Sequence, residues 1–210
     1  MKRFQLLLFL LIAIHSLNSF SQIDFNHAIL SGKEISKEDS DDNLSPTIIQ
    51  TFVIGLSLPQ STKYYFNYGE GVDLKNRLSF DAFYTINYPL LKKLTLGLVV
   101  GFQHQSQGSI TGMKLGAVLR YYFKNYKSAN FYFKATRSLA LSKNVQNKVG
   151  YGNARAGLEF PVNTIGNLNI VFSVYWDNDS YSLSKPLLDN EIPDEITFHG
   201  GYGIGIGIQF

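Results

Sequence analysis

From Thr47 to Phe210, apolar side chains recur at every second position, in runs of about ten residues separated by turn-forming clusters. A repeat of two belongs to the β-strand, whose successive side chains point to opposite faces. Eight runs carry it: 48–58, 77–88, 93–104, 113–124, 130–142, 149–160, 167–177 and 197–210. In 48–58, Phe52, Ile54, Leu56 and Leu58 oppose Thr51, Val53, Gly55 and Ser57. In 77–88, Leu78, Phe80, Ala82, Tyr84, Ile86 and Tyr88 oppose Ser79, Asp81, Thr85 and Asn87. In 113–124, Leu115, Ala117, Leu119, Tyr121 and Phe123 oppose Lys114, Gly116, Arg120 and Tyr122. Run 130–142 departs from the pattern, because Arg137 falls on the face of Phe131, Phe133, Ala135, Leu139 and Leu141. Either a bulge near Thr136 restores the alternation or Arg137 points outward.

The connections alternate in length. Segments 89–92, 125–129 and 161–166 are short, 60–76 and 178–196 are long, and 105–112 and 143–148 are intermediate. Strands of roughly 9–11 residues, with short turns at one end and longer loops at the other, describe a transmembrane β-barrel. The expectation is an all-β fold: a single eight-stranded, antiparallel, up-and-down transmembrane β-barrel over residues 47–210. An even strand count puts both ends of the barrel segment on the periplasmic side and the long loops outside the cell.

A soluble barrel with its apolar face inward would also alternate. Two features favour the membrane. The opposite face carries Asp81, Lys114, Arg120, Lys134, Arg155, Glu159 and His199, together with many glycines, above all in the last run. Glycine at alternate positions weakens a solvated strand, but inside a narrow barrel it makes room for large neighbours. Aromatics also gather near strand ends (Tyr84, Tyr88, Tyr121, Tyr132, Phe160, Trp176, Phe198 and Phe210), as in the girdles at membrane interfaces. An eight-stranded barrel is just wide enough for side chains to fill. The four lumen cations Lys114, Arg120, Lys134 and Arg155, set against Asp81 and Glu159 with Asp177 near the rim, are therefore expected to form an ion-pair network that plugs the lumen. The alternative is a narrow channel lined by the same charges.

The segment before residue 47 reads differently. A basic start at Lys2 and Arg3, an apolar run from Leu6 to Ile14 and a small polar stretch from Ser16 to Gln22 form the pattern of a signal peptide, assigned to 1–21. Residues 22–46 carry Asp24, Glu34, Glu38, Asp39, Asp41 and Asp42 without periodicity and read as a flexible acidic periplasmic arm. The 210-residue chain has no cysteine, which excludes a disulfide framework and a thiolate metal site. Its net charge of +3 is too small to argue for nucleic acid.

The terminal string GGYGIGIGIQF resembles the C-terminal assembly signal of bacterial outer-membrane proteins. Phe210, Ile208, Ile206, Ile204 and Tyr202 match that pattern of a final Phe with apolar residues at every second position before it. The leader ending in SFSQ, and the strings KLTLGLVVGF and AVLRYYF, resemble small β-barrel proteins of Bacteroidota, of OmpA or OmpX type. The resemblance implies a bacterial outer-membrane location after export and recognition by the barrel-assembly machinery. It also implies a monomer in contact with outer-membrane lipid and lipopolysaccharide. The role it implies is structural or surface-interacting, through the loops, with no cofactor.

One local string points to chemistry. In Phe102-Gln103-His104-Gln105-Ser106-Gln107-Gly108, His104 and Ser106 share parity with Phe102 and would face lipid near the outer leaflet. The string resembles the His-Gln-Ser-Asn-Gly motif of outer-membrane phospholipase A and, more loosely, the His-x-Ser of lipid A deacylases. That resemblance implies a lipid-ester hydrolase with His104 as base and Ser106 as nucleophile. Gln107 stands where that family has Asn. The orienting third residue, about a dozen positions after the serine, would be Val118, between apolar Ala117 and Leu119. Without an orienter the imidazole tautomer is not fixed. The acidic stretch 177–195, with Asp177, Asp179, Asp189, Glu191, Asp194 and Glu195, is read as a solvated loop, the alternative being a divalent-cation site, for which no close spacing of oxygen donors stands out. Tyr64, Tyr65, Phe66 and Tyr68 in 60–76 are either a contact surface or strands rising above the membrane.

Overall fold

The computed structural model describes residues 48–65, 71–142, 149–182 and 195–210. Residues 1–21, expected to be a signal peptide, and 22–46, expected to be an acidic arm, lie outside the described residues, as do Phe66, Tyr68, Asp189, Glu191 and Asp194. The described chain is nearly all strand: β1 (Ile49–Leu58), β2 (Ser61–Tyr65), β3 (Val72–Leu74), β4 (Ser79–Leu91), β5 (Leu94–Gln105), β6 (Ile110–Tyr122), β7 (Asn130–Ala140), β8 (Val149–Ile165), β9 (Leu168–Ser182) and β10 (Glu195–Gln209).

Each strand pairs antiparallel with its neighbour in the order β1-β4-β5-β6-β7-β8-β9-β10, and β10 pairs back onto β1. The result is a closed, eight-stranded, all-antiparallel barrel, the fold class anticipated from the sequence. The closing seam sets Tyr202, Ile204, Ile206 and Ile208 opposite Leu58, Leu56, Ile54 and Phe52, all on the outer face. Phe210 completes it by exchanging backbone hydrogen bonds with Gln50, at 2.9 and 3.0 Å.

The face assignment follows the alternation. Leu98 is 73% exposed, while its chain neighbour Val99 is 2% exposed. Along β5 the outward set Leu96, Leu98, Val100 and Phe102 alternates with buried Thr95, Val99 and Gln103. An outer wall of Leu, Ile, Val and Phe around a polar interior inverts a soluble barrel and suits hydrocarbon, where closure satisfies the backbone groups of every strand.

Four sequence readings change. The connection 60–76 contains β2 and β3, which pair with each other. β2 also continues the line of β1 beyond Pro59 and pairs with the start of β10, so Tyr64 and Tyr65 belong to a strand extension. The connection 161–166 shrinks to a two-residue turn, because β8 runs on to Ile165. Residues 177–182 of the expected acidic loop are part of β9. Tyr132, placed among the girdle aromatics, is buried in the lumen on the face opposite Phe131 and Phe133.

In β7, Arg137 points outward and no bulge occurs at Thr136, which pairs in register with Gly116 and Asn153. The register shifts only beyond, between Arg137 and Leu139. In β10 the extra residue lies between Phe198 and Gly201, where Gly200 has φ +58°. A glycine takes that left-handed conformation without the Cβ penalty, which lets the strand bulge and keep pairing on both sides.

Candidate functional site

The lumen is where the strands bring chemistry together. Inward positions of β4, β6, β8 and β9 converge on a chain of buried ion pairs. Near the turn end, Arg120 Nη1 donates to Glu159 Oε1 at 2.7 Å and to Asn130 Oδ1 at 3.2 Å. In the middle, Arg155 Nη2 lies 2.7 Å from Asp81 Oδ2 on β4 and 3.0 Å from Asp177 Oδ2 on the adjacent β9, bridging two carboxylates across the lumen. Towards the loop end, Lys114 Nζ lies 2.7 Å from Asp179 Oδ1. All these side chains are at most 5% exposed. Amides add to the network: Asn153 Nδ2 and Gln103 Nε2 donate to Asp177 at 2.6 and 3.1 Å, and Gln105 Nε2 donates to Asp179 at 3.2 Å.

Aromatic rings separate these layers. Phe83, Val99, Val118, Tyr132 and Tyr175 form a buried apolar cluster inside the barrel. The Arg155 guanidinium sits 3.9 Å from the Tyr175 ring centroid and 4.9 Å from that of Phe83. Lys134, 3% exposed, has no carboxylate partner among the described residues; its ammonium lies 4.5 Å from the Phe83 centroid and 4.9 Å from that of Tyr132. Ring faces attract cations, more strongly where water is excluded. Glycines admit the rings. A Cβ on Gly203 would collide with the Tyr175 ring, and one on Gly157 would stand 2.7 Å from the Tyr132 hydroxyl.

The mouth at the short-turn end is covered. The segment 123–129 reaches across it: Gln209 Nε2 donates to the Tyr126 carbonyl at 2.8 Å, and the Tyr126 hydroxyl donates to the Leu91 carbonyl at 2.6 Å. Tyr126 also meets Tyr122 edge-to-face at 5.3 Å.

Of the residues singled out in the sequence, Asp81, Lys114, Arg120, Lys134, Arg155 and Glu159 all face the lumen. The side chain of His199 lies outside the described part of the structure. Asp177 is a full member of the network. Asp179, read as part of a solvated loop, is the partner of Lys114. Its parity with Asp177, two residues on along the same strand, was the signal to extend the alternation.

His104 is on the outer face, but its Nδ1 is 2.8 Å from Thr111 Oγ1 on β6 and its ring lies 4.9 Å from Phe80. Ser106 begins a 3-10 turn at Gln107–Ser109, and no hydrogen bond joins it to His104 among the described residues. Val118, at the spacing of an orienting residue, points into the lumen. The structure therefore does not bring these residues together as a nucleophile–base pair.

No family model and no curated protein matches the chain. Solved structures do. The outer-membrane protein AlkL in lipid bilayers is 10% identical, with a TM-score of 0.47, over 84% of this chain and 95% of that one. OprG from Pseudomonas aeruginosa is 11% identical, with a TM-score of 0.47, over 79% and 96%. Ail, the attachment invasion locus protein of Yersinia pestis, solved with the heparin analogue sucrose octasulfate, is 17% identical, with a TM-score of 0.40, over 78% and 99%. At these levels the architecture rests on this chain's own strand register.

Proposed function

We propose that this chain is a bacterial outer-membrane barrel with a closed lumen. In this reading it acts as an envelope scaffold and contact surface through its long loops, without catalysis. The observation that carries the reading is the Arg155 bridge between Asp81 and Asp177, stacked on Tyr175 and Phe83 in mid-lumen. A conducting path needs mobile ions and water along the axis. Here the central charges neutralise one another, the rings fill the gaps, and segment 123–129 caps one mouth. The outer wall supports the membrane placement.

Planar-bilayer recording of the purified protein tests the closed lumen. The expected result is no conductance steps, with steps emerging when Asp81, Asp177 and Arg155 are together replaced by alanine. Steps in the unaltered protein would contradict the proposal. The hydrolase alternative is tested by phospholipid and lipid A deacylation assays on Ser106→Ala. Activity in the parent protein that Ser106→Ala abolishes would overturn the non-catalytic reading.

A further inference from the structure

The outer face carries one feature that a lipid-facing wall does not need. Among the described side chains of β1 and β4–β10, Arg137 is the one charge that points outward. It has no ion-pair partner among the described residues. A cation on the lipid face is costly at the bilayer midplane and costs little at the interface. Arg137 lies three residues before the loop end of β7, above Phe131, Phe133 and Ala135 on the same face.

Beneath and beside Arg137 the wall is dented. A depression of about 610 Å³ spans four adjacent strands, between Leu115 on β6 and Ser180 on β9. Its floor is Ala135, Gly152 and Ala154, which are cross-strand neighbours of one another and of Arg137. Its far rim is Asn178, opposite Ala154, with Trp176 one outward position below. Asn178 Oδ1 accepts the Gly200 N–H at 3.2 Å, which leaves its amide NH2 to donate outward. The arrangement is amphipathic: the Arg137 guanidinium lies towards the loop end, and one outward position below it a shallow apolar trough of Ala135 and Ala154 is edged by the Asn178 amide.

We propose that this depression binds one molecule of a phosphorylated outer-leaflet glycolipid. The phosphate pairs with Arg137, the sugar hydroxyls or amides meet Asn178 and Ser180, and an acyl chain lies over Ala135 and Ala154. Arginine suits phosphate because its planar fork donates two parallel hydrogen bonds. A second copy of this chain is the weaker occupant. A two-fold axis along the membrane normal would bring Arg137 of both copies to equal depth at the same patch, and like charges there repel. The proposal rests on the outer-membrane reading, so its test separates the two.

The protein in dodecyl maltoside is titrated with purified lipid A, with dephosphorylated lipid A, and with phosphatidylglycerol, and bound lipid is counted by native mass spectrometry. The expected result is one retained lipid A, with about tenfold weaker retention for Arg137→Gln, since a charge-assisted hydrogen bond is lost. Ala135→Phe, which fills the trough, should weaken it as well. Arg77→Gln, an exposed cation in the connection before β4, should not. Heat-dependent electrophoretic mobility verifies that each variant is a folded barrel. Equal retention by Arg137→Gln, or equal binding of dephosphorylated lipid A or of phosphatidylglycerol, would overturn the site. So would a dimer in place of a lipid adduct that Ala135→Phe abolishes. A protein with no heat-dependent shift and no membrane association would instead sink the underlying barrel reading.

Discussion

At the level of single residues, the interior is a set of charges whose individual removal is costly. Arg120 has Glu159 as its carboxylate and Asn130 as a neutral second partner. Glu159→Gln leaves the guanidinium buried beside two amides. Breaking a buried pair by removing one partner costs about 3–5 kcal/mol, whereas replacing both with packed apolar groups is often neutral. Glu159→Gln should therefore lower the temperature at which the barrel converts to its heat-denatured mobility. Arg120→Met combined with Glu159→Leu should recover most of the loss. An unchanged midpoint in Glu159→Gln would show that the pair carries no stability. The lumen faces of Asp81, Lys114, Arg120, Arg155 and Glu159 were readable because each shares parity with the polar side of its run. Their pairing partners were not, since parity fixes a face but not the axial level at which opposite walls meet. Phe83 and Tyr132 escaped for a related reason. They are apolar residues on the polar face, buried in the narrow lumen of an eight-stranded barrel, and composition alone assigns them to lipid.

At the level of strands, hydropathy and hydrogen bonding end at different places. The alternation locates the part of each strand that crosses hydrocarbon, and there β1, β4, β5 and β6 match the sequence to within three residues at either end. Beyond the apolar band both faces of a strand meet polar surroundings, so the pattern fades while the ladder continues. That is why β2, β3 and the end of β9 read as loops in the sequence: Thr62, Lys63, Tyr64 and Tyr65, and again Asp177, Asn178, Asp179 and Ser180, carry no contrast between faces. The same reasoning sets the depth dependence of a substitution. Leu98 sits mid-strand, opposite Ile86 and Ala117, whereas Leu58 is the last residue of β1. Leu98→Arg should destabilise folding into phosphatidylcholine vesicles by about 2–4 kcal/mol and Leu58→Arg by about 0–1, in keeping with the depth scale for arginine on a barrel's lipid face. Urea titration of folded protein in those vesicles reads both. Equal penalties would mean that the wall does not sit in the bilayer as described.

For the molecule as a whole, everything turns on which face meets lipid. The plugged lumen and the proposed lipid site at Arg137 both require the apolar set outside and the charged set inside. The chain has no cysteine, so single cysteines can be placed one at a time along β5 and labelled with an environment-sensitive fluorophore. The most direct measurement is quenching of those labels by brominated lipid after reconstitution, from Thr95 to Gln103. The account predicts a period of two, with strong quenching at Leu96, Leu98, Val100 and Phe102 and weak quenching at Thr95, Val99 and Gln103. Quenching of the opposite parity, or none at any position, would contradict it and turn the barrel inside out.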